Sequence, residues 1–231
     1  MHMVYSILEL SARCLVCLSA ALWVRLTRNL PLKKLAGLFY SEMQLANVKR
    51  RGRRCFVGKG SEIIHGEFME FGNCVRIGPY SRIEAIVNYK GVNYHPKLVI
   101  EDGVSTNWFT HIACADYVRI GKNTLIAGSV FITDHNHGYS GPETLGLPPA
   151  DCALEISPVE IGARCWIGEH VCILPGVTIG DDCIIGAGSI VTRNIPPRTN
   201  SAWYSSPTNQ ATRFQGKVGY CNLALKIGSI R

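Results

Sequence analysis

No stretch of this 231-residue chain is apolar for long enough to cross a bilayer. Its best candidate, Cys14–Val24, holds eleven residues between Arg13 and Arg25, where a spanning helix needs about 20. A secretory leader is also a poor match, because Glu9 and Arg13 break its front and no convincing cleavage site follows. Of the ten cysteines only Cys14 and Cys17 have CxxC spacing, and they lie within the apolar segment, so a zinc ribbon or a disulfide framework is disfavoured. Acidic residues are scarce in one place. Between Arg28 and Arg54 a single Glu42 faces Arg28, Lys33, Lys34, Lys49, Arg50, Arg51, Arg53 and Arg54, within a chain of net charge +7. No nucleic-acid-binding motif accompanies that cluster, so the expected partner is an anionic membrane surface or plain solvent, and not nucleic acid.

What the sequence has instead is a period of six. Ile161, Ile167, Ile173, Ile179, Ile185 and Val191 are evenly spaced, and a glycine follows four of them at Gly162, Gly168, Gly180 and Gly186. Neither a helix, with period 3.6, nor a simple strand, with period 2, gives this pattern. It predicts a solenoid in which each hexad is one flat rung and one corner, with three hexads to a coil. Shorter sets of the same spacing occur at Val57 and Ile63, at Phe71, Ile77 and Ile83, at Ile100, Thr106 and Ile112, and at Ile120, Ile126 and Ile132. The eight-residue steps from Ile63 to Phe71 and from Ile112 to Ile120 read as a hexad with two inserted residues. The array is therefore expected from about residue 55 to about 195, as one domain. Cys55, Cys165 and Cys183 each stand two residues before a hexad aliphatic, where a small apolar side chain packs between coils. Reduced, cytosolic core cysteines are the favoured reading.

Two segments lie outside the ladder. From Val4 to Leu26 a helix would be mostly apolar with its charges on a minority face. It is read either as a cap on the solenoid's end or as an interfacial helix helped by the basic cluster. Pro31 ends this segment or separates two helices. The second is the interruption between Ile132 and Ile161, which is rich in turn formers and opens with Asp134-His135-Asn136-His137. A loop of this length on a rigid scaffold is usually functional or disordered. Its histidines leave three readings open: a zinc site completed by His111, a structural pair satisfying loop hydrogen bonds, and a general base, since imidazole titrates near neutrality.

Two stretches resemble a known family. NTLIAGSVFITDHNHG (Asn123–Gly138) and VEIGARCWIGEHVCILPGVTIGDDCIIGAGSIVTRNIPP (Val159–Pro197) are similar to the hexapeptide-repeat acyltransferases. Among them the chain looks most like the O-acetyltransferases of lipopolysaccharide O-antigen, capsule and exopolysaccharide sugars, with the likeness running over roughly residues 70–197. The resemblance implies an all-β fold, a left-handed parallel β-helix against the usual right-handed crossover rule, and a homotrimer with its sites between subunits. It implies acetyl-CoA as acyl donor, no metal, and a sugar or lipid-linked glycan as acceptor. It carries the catalytic role onto His135, with Asp134 or Asn136 to orient it, and an acceptor contact onto Asn107 in STNWFTHI. It carries cofactor contacts onto Trp166, onto the backbone around Gly168, Gly186 and Ala187, and onto Thr192 and Arg193 at the nucleotide end.

The division expected is a helical basic segment at 1–54, the β-helix at 55–197 with a loop at 136–158, and an extension at 198–231. The implied location is cytoplasmic, with a peripheral position on the inner face of a bacterial inner membrane through residues 1–54 as the sharper alternative. After Pro197 the text departs from the family: only Ala202 and Pro207 hint at its cofactor-closing loop, which leaves a phosphate role for Arg213 open. A metal-dependent hydrolase or carbonic-anhydrase-like protein on the same solenoid, and a non-catalytic assembly protein, are the competing functions.

Overall fold

The period of six becomes three parallel sheets wound around one narrow core. In a computed structural model describing residues 32–138 and 146–201, the strands stack into sheets of six, seven and six members. The first sheet runs from Arg50–Arg51 to Thr178–Ile179, the second from Phe56–Val57 to Asn200–Ser201, and the third from Glu62–Ile64 to Ile190–Val191. Every rung is in register with the next, as Ile126 with Ile167 and Ile167 with Ile185. Each hexad aliphatic therefore meets its counterpart one coil away.

Burial follows the ladder. Val57, Ile77, Thr106, Ile126, Ile167 and Ile185 line the inside of the second sheet, and Ile83, Ile112, Ile132, Ile173 and Val191 that of the third; all are buried. Two residues before these positions the core takes small side chains. Cys165 and Cys183 are buried in the second sheet, while Cys55 is partly buried. Burial raises the thiol pKa of all three, which keeps them unreactive. In the third sheet the equivalent positions include Ser61, Ser81, Thr110 and Ser189, all buried. Their hydroxyls donate to turn carbonyls, as Ser61 Oγ to Gly78 O (2.7 Å) and Ser189 Oγ to Gly186 O (2.6 Å), so no polar atom there is left unpaired.

The six-residue step is kept at two of the three corners and broken at one. Between the first and second sheets, and between the second and third, every buried aliphatic is six residues after the last. Between the third and the first, the chain inserts residues from Ile63 to Phe71, Ile83 to Ile100, Ile112 to Ile120, and Ile132 to Ile161. The second of these insertions holds an antiparallel hairpin, Asn88–Tyr89 with Val92–Asn93. The fourth returns on itself, pairing His135 with Ile156 and His137 with Leu154. The second, third and fourth insertions pack together through Tyr94, Ala115 and Leu154, with Ile86 and Tyr89 against them. A segment expected as loop thus has paired ends.

A 14-residue helix, Leu32–Leu45, closes the first coil. Its Ser41 Oγ and Gln44 Oε1 accept the Val57 and Ile63 N–H groups (2.8 and 2.9 Å), and Tyr40 Oη donates to Ser61 O. These bonds occupy strand edges that would otherwise recruit another chain. The helix follows Pro31, while the helix expected at Val4–Leu26 lies outside the described residues. At the other end the ladder continues past Pro197, where Asn200–Ser201 pairs with Ile184–Ile185. Ala202, Pro207 and Arg213 lie outside the described residues. Among the described residues no helix is long and apolar enough to cross a membrane.

Candidate active site

Asp134 and His135 stand where the chain leaves the third sheet. Phe131–Thr133 is the last regular strand before the corner, and His135–His137 begins the insertion. Asp134 is fully buried. Its Oδ1 accepts the Ala115 N–H and its Oδ2 the Asp116 N–H, both at 2.8 Å, from the corner of the preceding coil. These two amides fix the carboxylate. The adjacent Cys114 thiol is pushed far up, first by burial and then by the Asp134 charge.

His135 is 8% exposed. Its Nδ1 lies 3.1 Å from Asp134 Oδ1 and 3.1 Å from Thr133 Oγ1. The Thr133 hydroxyl donates its single proton to His135 O at 3.1 Å, so toward the ring it can only accept. A carboxylate also only accepts. Both neighbours therefore call for a proton on Nδ1, which assigns the neutral ring the tautomer with its lone pair on Nε2. That is the arrangement of an oriented general base. Asn136 alternates to the opposite face of the strand and is exposed, so of the two orienting candidates the contact belongs to Asp134. Thr133 was not legible as a partner, because a Thr before Asp-His has no sequence signature.

His137 is exposed, two residues along the same strand, with its ring centroid 6.1 Å from that of His135. His111, the third histidine of the zinc reading, is engaged elsewhere. Its Nε2 lies 2.8 Å from Glu84 Oε1, and its ring packs 5.0 Å from Phe131. Burial raises the Glu84 carboxyl, but His111 and Arg82 outweigh that and hold it below the usual carboxylate range. Among the described residues no three His, Cys, Asp or Glu side chains converge as a metal would require.

The remaining candidates fall on other edges. Asn107 lies on the turn from the second to the third sheet, exposed, with its Oδ1 accepting the Trp108 N–H at 3.0 Å. Beside it, Trp108, Phe109, Gly128, Ser129 and Glu169 line a cleft of about 330 Å³. Trp108 and Phe109 are each 56% exposed, and Phe109 holds a left-handed φ of 57° and stacks on Tyr80 at 5.5 Å. Gly168, Gly186 and Ala187 stack along the same edge as Asn107. At Gly168 a side chain is excluded by the next coil, since a Cβ would come within 2.6 Å of Ala187 N and 2.8 Å of Ile185 O. Coil stacking alone therefore demands that glycine. Trp166 projects from the outer face of the second sheet, half exposed, between Leu125 and Ile184. Thr192 and Arg193 follow Ile190–Val191 and so occupy the His135 edge, two coils along.

The candidates thus form two groups on opposite edges of the third sheet. Asn107, Gly168, Gly186 and Ala187 share one edge; Asp134, His135, Thr192 and Arg193 share the other. A sheet's width, on the order of 15 Å, separates them within one chain.

Comparison with known proteins matches this architecture. Residues 158–193 fit the family described as bacterial transferase hexapeptide (six repeats). A relative from Escherichia coli, named "Putative lipopolysaccharide biosynthesis O-acetyl transferase WbbJ", is 35% identical over 181 residues, covering 77% of this chain and 82% of its own length. Galactoside O-acetyltransferase of Escherichia coli is 47% identical over 88 residues, 38% of this chain and 41% of that one. Among solved structures, a mutant of AntD, an N-acyltransferase from Bacillus cereus in complex with dTDP-4-amino-4,6-dideoxyglucose and coenzyme A, has a TM-score of 0.55 at 18% identity. It covers 69% of this chain and 83% of that one. The likeness to AntD speaks for the fold, a left-handed parallel β-helix, as the resemblance implied.

Proposed function

The chain belongs to the bacterial hexapeptide-repeat transferase family, and on that premise we propose that it transfers an acetyl group from acetyl-CoA to a sugar hydroxyl. The acceptor class is a surface polysaccharide or its lipid-linked precursor, in keeping with the lipopolysaccharide in the name of one E. coli relative; the name of the other, a galactoside O-acetyltransferase, supports a sugar hydroxyl. The observation that carries the reading is the Thr133–Asp134–His135 constellation, whose hydrogen bonds leave Nε2 of a nearly buried imidazole as a proton acceptor.

In this reading the acceptor hydroxyl gives its proton to His135 Nε2 as its oxygen attacks the thioester carbonyl. The tetrahedral intermediate collapses with cleavage of the C–S bond, and the proton passes from His135 to the departing CoA thiolate. No acyl-enzyme forms. Asp134 stabilises the imidazolium and holds the ring in place. The donor fits along the exposed Leu125–Trp166–Ile184 strip and the small residues Gly168, Gly186 and Ala187, with Thr192 and Arg193 toward the nucleotide.

Because one chain holds the two groups of residues on opposite edges, the proposal includes a trimer. Asn107 and its cleft from one subunit face His135 of a neighbour. Residues 1–54 are proposed as cap and membrane contact, residues 55–197 as the transferase unit and 198–231 as an extension. Leu35, Leu38, Phe39 and Met43 of the capping helix are exposed, beside exposed Lys34 and Lys49. An apolar face with flanking cations suits peripheral contact with an anionic inner leaflet.

The direct test is CoA release from acetyl-CoA with membrane glycolipid extract as acceptor, followed by mass spectrometry of the products. Release is expected to need both the acceptor and His135. A His135→Ala protein that turned over at the wild-type rate would sink the proposal; a fall of about 10²- to 10⁴-fold is expected.

A further inference from the structure

His137 is not needed for the reaction above, yet it is held as carefully as His135. It lies two residues along the His135–His137 strand and so projects from the same face. Its Nδ1 is 3.1 Å from Tyr89 Oη, on the hairpin of the second insertion. Tyr89 Oη donates its one proton to Ala150 O at 3.1 Å. Toward His137 it can therefore only accept, so the neutral ring carries its proton on Nδ1. The lone pair of His137, like that of His135, is on Nε2.

The hairpin that supplies Tyr89 is fastened to the same insertion at three points. Tyr89 reaches Ala150, Lys90 Nζ pairs with Asp151 Oδ1 at 3.0 Å, and Tyr94 Oη accepts the Leu154 N–H at 2.8 Å. The Tyr89 ring packs edge-on against His137 at 5.1 Å. Forty-eight residues of chain separate Tyr89 from His137, and neither belongs to the repeat.

The result is a pair of oriented imidazoles on one strand face, ring centroids 6.1 Å apart, each with an acceptor nitrogen free of the protein bonds that fix the ring. Proton abstraction needs one of them. A second acceptor beside it matches a second donor on the same substrate. We propose that His137 Nε2 accepts a hydrogen bond from an acceptor hydroxyl neighbouring the one acetylated, with Tyr89 as the positioning residue for His137. The preferred acceptor is then a sugar ring with a free neighbouring pair of hydroxyls, and one lacking the second hydroxyl binds less well. The inference rests on the O-acetyltransferase reading and adds to it a specificity residue.

The test uses the full-length protein, acetyl-CoA, and methyl β-galactopyranoside with its monodeoxy counterparts, one position at a time. His137→Phe, which removes the acceptor nitrogen, is expected to raise KM for the parent hexoside about 3- to 10-fold, the range of one hydrogen bond, with kcat nearly unchanged. For one monodeoxy hexoside, wild type and His137→Phe should have the same KM. His137→Gln keeps an acceptor oxygen and should recover much of the loss. Tyr89→Phe should raise KM in the same direction, and adding it to His137→Phe should cost nothing more. A fall in kcat with KM unchanged, or an equal KM penalty on every hexoside, would overturn the assignment. So would a Tyr89→Phe protein that loses thermal stability without any change in KM. Failure of the underlying transferase reading is seen separately, as turnover that survives His135→Ala.

Discussion

The two edges of the third sheet are built from the same repeat and differ in what they tolerate. At the edge facing the second sheet, every turn keeps the six-residue step, and the residues there serve stacking first. Gly168 is obligatory because Ala187 passes too close for a Cβ. At the edge facing the first sheet, the chain inserts up to a full hairpin, and Asp134, His135, His137 and Tyr89 all stand on or beside those insertions. A solenoid is stable through contacts between adjacent coils, so one corner can be elaborated without cost to the core. In the proposed function the regular edge supplies surface and the irregular edge supplies chemistry, and neither holds a whole site.

This contrast can be broken most sharply at the irregular edge. Asp134→Asn should lower kcat by about 10²-fold or more, because an amide can donate toward Nδ1 and stabilise the wrong tautomer. Steady-state kinetics with unchanged far-ultraviolet circular dichroism would check it; a wild-type kcat would remove Asp134 from the orienting role. The link between edges is tested next. Mixing inactive His135→Ala and Asn107→Ala proteins under subunit-exchange conditions should restore part of the activity, since a mixed trimer keeps one intact pair. Activity that stays at the level of the separate variants would mean that the two edges do not share a site.

At the regular edge the expected loss is in stability. Gly168→Val should destabilise the last coils by about 1–3 kcal/mol, the range for forced overpacking, seen as a lower urea midpoint. A variant of wild-type stability would show that the coils can part at little cost. The smallest effect lies on the outer face of the third sheet. Glu84 has a folded pKa below its ordinary value of 4.5. Its contribution is present above that value and is lost as pH falls through the lower folded one. Glu84→Gln should thus lower Tm at neutral pH, and the difference from wild type should shrink below pH 4.5. A difference constant across that range would contradict the contacts of Glu84 with Arg82 and His111.

Much of this was legible in the residues themselves. The ladder from Ile161 to Val191 dictates rungs and corners because a coil's register depends only on spacing along a short stretch. The Asp134–His135 contact is between chain neighbours, and its place at the end of a rung could be read from the break after Ile132. The cap was harder. The segment before Pro31 is marked by its apolar run, whereas Leu32–Leu45, whose Ser41 and Gln44 close the strand edges, has no motif that announces it.

By itself the sequence determined a stack of three-sided coils, because a period of six leaves the backbone no other way to bury one aliphatic per rung. It also marked where that stack is interrupted. Only the tertiary structure decided that Asn107 and His135 lie a sheet's width apart and that Tyr89 meets His137. Those relations join residues far apart in the chain, and they follow from how coils stack and how the insertions pack on each other, which no local spacing encodes.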